Sequence, residues 1–248
     1  MDGVLWRDSQ PIGDLPNIFK RIHALGWKVV LATNNASRSV SQYLEKLHSL
    51  GVDLQPDNII TSSQATVHYL LKLHPKGGNV YVIGEKALEQ TLAESGFENC
   101  AENPLAVIVS FDREVTYEKL RRGTLLVRSG VKLIATNSDR TFPSPEGLIP
   151  GAGSILAAVV TATDTTPVVI GKPEPEMYNI ALDRMRSTAE TTLVVGDRLE
   201  TDIAGGQLLG CRTALVLSGV TTAQAAKEWI PAPDWISPDL ATLLAGFN

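Results

Sequence analysis

Four short segments of this 248-residue chain carry side chains that could act together on a phosphate ester. Asp2 stands before a turn-permitting glycine, Thr33 ends an apolar run, Lys172 is held ahead of a proline, and Asp197 and Asp202 share the stretch GDRLETD. Singly, each has a bland reading. Asp-Gly signals a turn, a strand-end Thr caps a helix or favours a strand, Lys-Pro is ordinary surface, and acids beside a glycine cap helices as readily as they hold ions. Jointly, they match the needs of phosphoryl transfer through an aspartyl intermediate. Thr33 and the N–H groups after it, at Asn34 and Asn35, would donate to one phosphoryl oxygen, and Lys172 would place a point charge on another. Asp197 would ligate Mg²⁺ directly, with Asp202 completing or orienting the shell and Asp2 counted as a further ligand. Asp2 would also protonate the leaving alkoxide and then activate water. Arg198 either steers an anionic substrate or pairs with a nearby acid.

These residues need elements to hold them. Apolar runs rich in Val and Ile recur at 29–32, 80–83, 106–109, 133–135, 168–170, 193–195 and 214–217, with amphipathic stretches between them. That alternation predicts an α/β fold with a parallel sheet. Ser37 is the expected N-cap of a helix over 38–50 that stops at Gly51, and a second helix is expected over 177–185 after Pro173 and Pro175. Two strands, at 29–32 and 193–195, run straight into polar sequence. Ligands of open parallel sheets bind beyond the carboxyl ends of the strands, so both ends are expected on one rim. Residues 76–165 carry βα units of their own and the Pro/Gly-rich loop Asn137–Gly153, which reads as an inserted module.

Composition removes several classes. The net charge of −5 and the lack of a cationic block argue against a nonspecific nucleic-acid binder. No apolar run approaches the roughly 18 residues of a membrane span and no signal peptide opens the chain, so the expected location is the cytoplasm. Cys100 and Cys211 have no metal-like spacing and read as small hydrophobes in a reducing compartment. His23, His48, His68 and His74 lack the paired spacing of a zinc site. A nucleophile elbow and a dinucleotide fingerprint are both missing.

The order MDGVLW, TNN, GKPEPEMY and GDRLETDI resembles the haloacid dehalogenase superfamily of phosphohydrolases. WRDSQPIG, SFDREVTYEKL, ATNSDRTFP and VLSGVTT are similar to its NagD-type branch of p-nitrophenyl phosphatases, phosphoglycolate phosphatases and nucleotide monophosphatases. The resemblance implies a doubly wound, Rossmann-like core over 1–75 and 166–248, with a C2-type α/β cap over 76–165 whose Asn137–Gly153 loop closes over the substrate. It implies Mg²⁺, a small phosphorylated metabolite (a sugar phosphate, phosphoglycolate or nucleotide monophosphate), and a homodimer joined through the caps.

The family's first motif is DxDG, whose first Asp attacks phosphorus and whose second is the acid/base. Asp2 fits the second and Met1 the intervening position. Residues i and i+2 of a strand point to one face, which explains the spacing, and Asp2 alone cannot fill both roles. The expectation is a natural protein with the attacking acid immediately upstream of Met1, at the end of an apolar strand. The alternative is a noncatalytic phosphometabolite-binding protein. A phosphotransferase differs from a phosphatase only in what accepts the phosphoryl group.

Overall fold

The structure, a computed structural model, describes residues 1–7, 9–144 and 146–247. Asp8 of the WRDSQPIG segment and Pro145 of the expected closing loop lie outside the described residues. In chain order, the first part comprises β1 (Trp6–Arg7), β2 (Gln10–Pro11), α1 (Leu15–Ala24), β3 (Leu31–Thr33), α2 (Val40–Ser49), β4 (Ile59–Thr61) and α3 (Ser62–Leu73). There follow β5 (Gly78–Ile83), α4 (Lys86–Ala93), β6 (Phe97–Asn99), β7 (Ala106–Val109), α5 (Tyr117–Arg128), β8 (Lys132–Ala135), β9 (Thr141–Ser144), β10 (Gly147–Pro150), α6 (Ala152–Thr163) and β11 (Val168–Val169). The last part holds α7 (Pro175–Met185), β12 (Leu193–Gly196), α8 (Ala204–Leu208), β13 (Arg212–Val216), α9 (Ala223–Glu228), β14 (Trp235–Ser237) and α10 (Leu240–Ala245). Among the described residues no helix is long and apolar enough to cross a membrane.

The chain divides into two compact units. The first comprises Met1–Ala32, Val40–Ile60 and Lys172–Asn248, the second Thr33–Ser39 and Thr61–Gly171. The second unit extends beyond the 76–165 module in both directions. Its added segments are tied locally: Ser62 Oγ donates to the Asn34 carbonyl at 2.6 Å, and α3 packs on α4.

In the second unit, β11, β8, β7, β5 and β6 form one parallel sheet in that order. Its middle strand, β7, is the apolar run Ala-Val-Ile-Val and is buried at every position, as expected of a strand covered on both faces and paired on both edges. The Asn137–Gly153 stretch is not all loop. Thr141–Ser144 pairs antiparallel with Gly147–Pro150, and Phe142 stacks on Phe111 with ring centroids 4.4 Å apart. The alternation Phe-Pro-Ser and Leu-Ile-Pro had hidden that pairing behind its turn residues.

In the first unit the strands next to the candidate site are divided between sheets. One sheet is β12-β13-β14. The other is β3-β4 alone, with the first two residues of each strand in this unit. A cavity of about 590 Å³ separates them, walled by residues 29–32 on one side and 193–196 on the other. Phe19 and Ile22 of α1 and Leu240, Leu243 and Leu244 of α10 line it further, so its walls are mostly apolar. Helix α1 has its face defined by Leu15, Ile18, Phe19 and Ile22, the spacing of one helical stripe, and starts where the Asp14 carboxylate accepts from Asn17 N–H at 3.1 Å. Helix α2 begins at Val40, two residues later than expected, because the Asn35 side chain takes both the N–H and Oγ of Ser37 at 2.7 Å and holds that residue in a turn.

Candidate active site

Lys172 joins the two strand ends of the first unit. Its Nζ donates to the Ala32 carbonyl, within β3, at 3.3 Å. It also donates to Asp202 Oδ1, beyond β12, at 2.7 Å. Both side chains are nearly buried, so this ion pair is largely withdrawn from water. Burial by itself pushes the Asp202 carboxyl up, but the Lys172 ammonium and the Arg198 N–H, 3.2 Å from Oδ2, hold it below the usual carboxylate range.

Asp202 reaches this position through a local widening of the backbone. Residues 199–203 form a single π-turn, in which Ile203 N–H bonds to the Arg198 carbonyl five residues back, at 3.2 Å. The buried Tyr178 hydroxyl fastens the turn by donating to the carbonyls of Thr201, at 2.8 Å, and Asp202, at 3.2 Å. Burial and then the Asp202 charge push that phenol's pKa upward, so Tyr178 stays a neutral donor.

Asp197 is buried at the end of β12 and accepts from Val220 N–H at 3.0 Å. Burial raises its pKa first, and the nearby Asp202 charge adds to the rise. A side chain at Gly3 or Gly219 would run into the Asp197 carboxylate, and one at Gly196 into that of Asp202. Ser218 completes the enclosure: its Oγ donates to the Gly3 carbonyl at 2.7 Å, and its own carbonyl accepts from Arg7 Nε at 2.7 Å.

Asp2 is exposed, with its carboxylate aimed by Trp6 Nε1 at 2.8 Å from Oδ1. The Trp6 ring is fully buried and carries the Lys46 ammonium 4.0 Å from its centroid, so the indole is a fixed donor. Among the described residues no group of three His, Cys, Asp or Glu side chains is close enough to hold a metal ion, so Asp2, Asp197 and Asp202 do not assemble as three ligands. The two buried carboxylates nonetheless suit a hard cation. Their donors are all oxygen, one carries a pKa raised by burial and by its neighbour's charge, and the glycines leave their faces uncovered. Mg²⁺ commonly uses one or two carboxylates, with water and substrate phosphate completing the shell.

Thr33, Asn34 and Asn35 belong to the second unit, apart from the compact unit that holds the other candidates. There Thr33 Oγ1 accepts from Asn35 N–H at 3.2 Å, and Asn34 Nδ2 donates to Asp139 at 3.2 Å. The buried Asn137 amide donates to the Asn34 carbonyl at 2.8 Å, which fixes the turn after β3. Arg198 touches Asp202 through its backbone, while its guanidinium lowers the Asp197 pKa. Tyr178, Ser218, Gly219 and Val220 were not picked out as site residues. All four lie in the quoted segments GKPEPEMY and VLSGVTT, but the hydroxyls of Tyr178 and Ser218 act on backbone carbonyls of distant segments, Val220 acts through its N–H and Gly219 through its missing side chain, which residue type does not reveal.

Comparison with known proteins gives this geometry a context. A family described as haloacid dehalogenase-like hydrolase matches residues 1–98, and one described as HAD-hydrolase-like matches residues 169–243. The 5'-nucleotidase YutF of Bacillus subtilis is 33% identical over 245 residues, covering 93% of this chain and 95% of its own. The crystal structure of 4-nitrophenylphosphatase from Thermotoga maritima superposes with a TM-score of 0.95 at 31% identity, over 100% of this chain and 95% of that one. The glycerol phosphate phosphatase of Mycobacterium tuberculosis, solved in complex with magnesium, gives 0.90 at 33% identity, over 98% of this chain and 74% of that one.

Proposed function

Because the chain belongs to the haloacid dehalogenase-like hydrolases, in their NagD-type branch, and is a phosphomonoesterase of that family, we propose that it hydrolyses a small phosphate monoester through an aspartyl-phosphate. The substrate is of the sugar-phosphate, phosphoglycolate or nucleotide monophosphate class. The relatives that act on a nucleotide and on glycerol phosphate support that range. The observation that carries the reading is Lys172, buried and bridging Ala32 and Asp202 beside Asp197. An ammonium fixed at a strand end, with its counter-charge already in place, is preorganised to meet an incoming phosphoryl oxygen.

In the family's DxDG order the attacking carboxylate stands two positions before the acid/base, the place that Asp2 fits, and a strand presents both on the same face. Its oxygen forms a bond to phosphorus as the ester P–O bond breaks, and Asp2 delivers its proton to the departing alkoxide. Asp2, now a carboxylate, takes a proton from water, whose oxygen attacks phosphorus as the acyl O–P bond breaks, so inorganic phosphate leaves, the nucleophile is a carboxylate again and Asp2 holds the proton it began with. Trp6 holds one oxygen of Asp2 throughout, which keeps the carboxyl oriented between its two protonation states. Asp197 and Asp202 would hold Mg²⁺, whose chemistry there is neutralisation of charge on the phosphoryl oxygens.

The test is turnover of p-nitrophenyl phosphate by the protein bearing a carboxylate at that upstream position, with Mg²⁺ binding followed separately by calorimetry. Activity that falls at least about 10²-fold in Asp2→Asn is the expected result. Weaker Mg²⁺ binding in Asp197→Asn is expected as well. Phosphate binding without turnover would leave ligand capture, the noncatalytic alternative, in place of hydrolysis.

A further inference from the structure

Asp202 is gripped at every polar group it has. Lys172 Nζ donates to Oδ1 at 2.7 Å, and the Arg198 N–H to Oδ2 at 3.2 Å. Its own N–H bonds to the Arg198 carbonyl at 3.1 Å, and its carbonyl accepts from the Tyr178 hydroxyl at 3.2 Å. That hydroxyl shares its proton with the Thr201 carbonyl, at 2.8 Å, so one phenol spans two successive peptides of the π-turn. Lys172 and Tyr178 stand in one short segment, either side of the start of α7, and both end on Asp202: the first on its side chain, the second on its backbone. Collapse of the wide turn to the ordinary α register would carry Asp202 around the axis by about 100°, one residue's worth, and away from Lys172. Room for the phenol is made by α8, which packs on α7. A Cβ at the buried Gly205 would strike the Tyr178 hydroxyl and the ring carbons beside it, which accounts for a residue otherwise unfavourable inside a helix.

We infer that Tyr178, seated by Gly205, is a positioning residue that fixes the direction of the Asp202 carboxylate and so makes the site select Mg²⁺ over the larger Ca²⁺. The inference rests on the proposed function for the place of Asp202 in a cation's shell, as ligand or as orienting group. Mg²⁺ demands near-ideal octahedral geometry with oxygens at about 2.0–2.1 Å, whereas Ca²⁺ accepts flexible arrangements of more oxygens at about 2.3–2.6 Å. A carboxylate whose residue is committed at each polar group cannot swing to suit the larger ion. Released at its backbone, it can. Partners standing behind a metal-binding side chain commonly set affinity by about 10–100-fold.

The test is calorimetric titration with Mg²⁺ and with Ca²⁺ of Tyr178→Phe, which removes the hydroxyl and keeps the ring. The Kd for Mg²⁺ should rise at least about tenfold while that for Ca²⁺ changes less than about threefold, so the preference narrows. Ile180→Val, a small cut in a buried residue of the same helix, should move neither, which separates positioning from loosening of α7. Gly205→Ala should weaken Mg²⁺ binding as Tyr178→Phe does, yet add nothing in the Tyr178→Phe background, because its effect passes through a hydroxyl no longer there. Equal losses for the two ions, or a full further loss in the double variant, would overturn the inference. So would Mg²⁺ binding that Asp197→Asn weakens and Tyr178→Phe leaves alone, a result that keeps the proposed function. One readout needs no metal: the Lys172 ammonium, enclosed by Asp202 and Ala32, should give a slowly exchanging NMR signal that disappears in Tyr178→Phe. A signal indifferent to that substitution would overturn the positioning role. Failure of the unsubstituted protein to bind either ion would remove the metal from the proposed function and the selectivity with it, and loss of the ammonium signal in Tyr178→Phe would then keep the positioning role alone.

Discussion

The two units each build a parallel sheet, and the middle strand of one contrasts with the edge strand of the other. In the second unit β7 has β5 on one side and β8 on the other, and all four of its residues are buried. In the first unit β12 has β13 on one side and the cavity on the other, and three of its four residues are half-buried. The apolar runs are alike in composition, Ala-Val-Ile-Val against Leu-Val-Val-Gly. The contrast shows that burial of a parallel strand comes from its two neighbours more than from its own sequence. It also shows where the first unit's stability has to come from: the helices α1 and α10, and the polar network around Lys172.

That network gives the largest expected effect. Lys172→Ala leaves Asp202 buried without its cation, and the loss should be about 3–5 kcal/mol in urea unfolding. A loss below about 1 kcal/mol would mean that water reaches the pair freely through the cavity. The next test compares the sheets directly. Leu133 in β8 is 2% exposed within the second unit's core, whereas Leu193 borders the cavity. Leu133→Ala should cost about 2–5 kcal/mol and Leu193→Ala less than half of that, because its side chain is only partly withdrawn from water. Equal costs would erase the distinction between the two sheets. A smaller effect is expected from Gly219→Ala, which drives a methyl group against the Asp197 carboxylate. Its cost should be about 1–3 kcal/mol, with Mg²⁺ binding weakened alongside. Unchanged Mg²⁺ binding would mean that Asp197 can shift without consequence.

Much of this was legible in the sequence. The strands at 80–83, 106–109, 133–135 and 193–195 follow from short β-branched runs with helical stretches between them, and the structure places a strand at each. Lys172 and Asp202 were singled out on residue type and order, and they meet at 2.7 Å. What escaped was of another kind. β6 and β14, Phe97–Asn99 and Trp235–Ser237, are three-residue edge strands whose polar positions give no run to recognise. The hairpin of β9 and β10 is held by register, and its prolines argue against a strand when read one residue at a time. The enclosure of Asp197 depends on backbone N–H groups and on glycines lacking a Cβ, features whose role appears only once distant segments are brought together. Spacing likewise did not separate Thr33 from Lys172, although they fall in different compact units.

The belt formed by Gly3, Arg7, Ser218 and Val220 around Asp197 draws on residues more than 200 positions apart. During synthesis on a ribosome, the opening segment must therefore wait, its partners unmade, until almost the entire chain has emerged. The second unit's sheet, whose five strands all lie between Gly78 and Val169, can assemble while that wait continues.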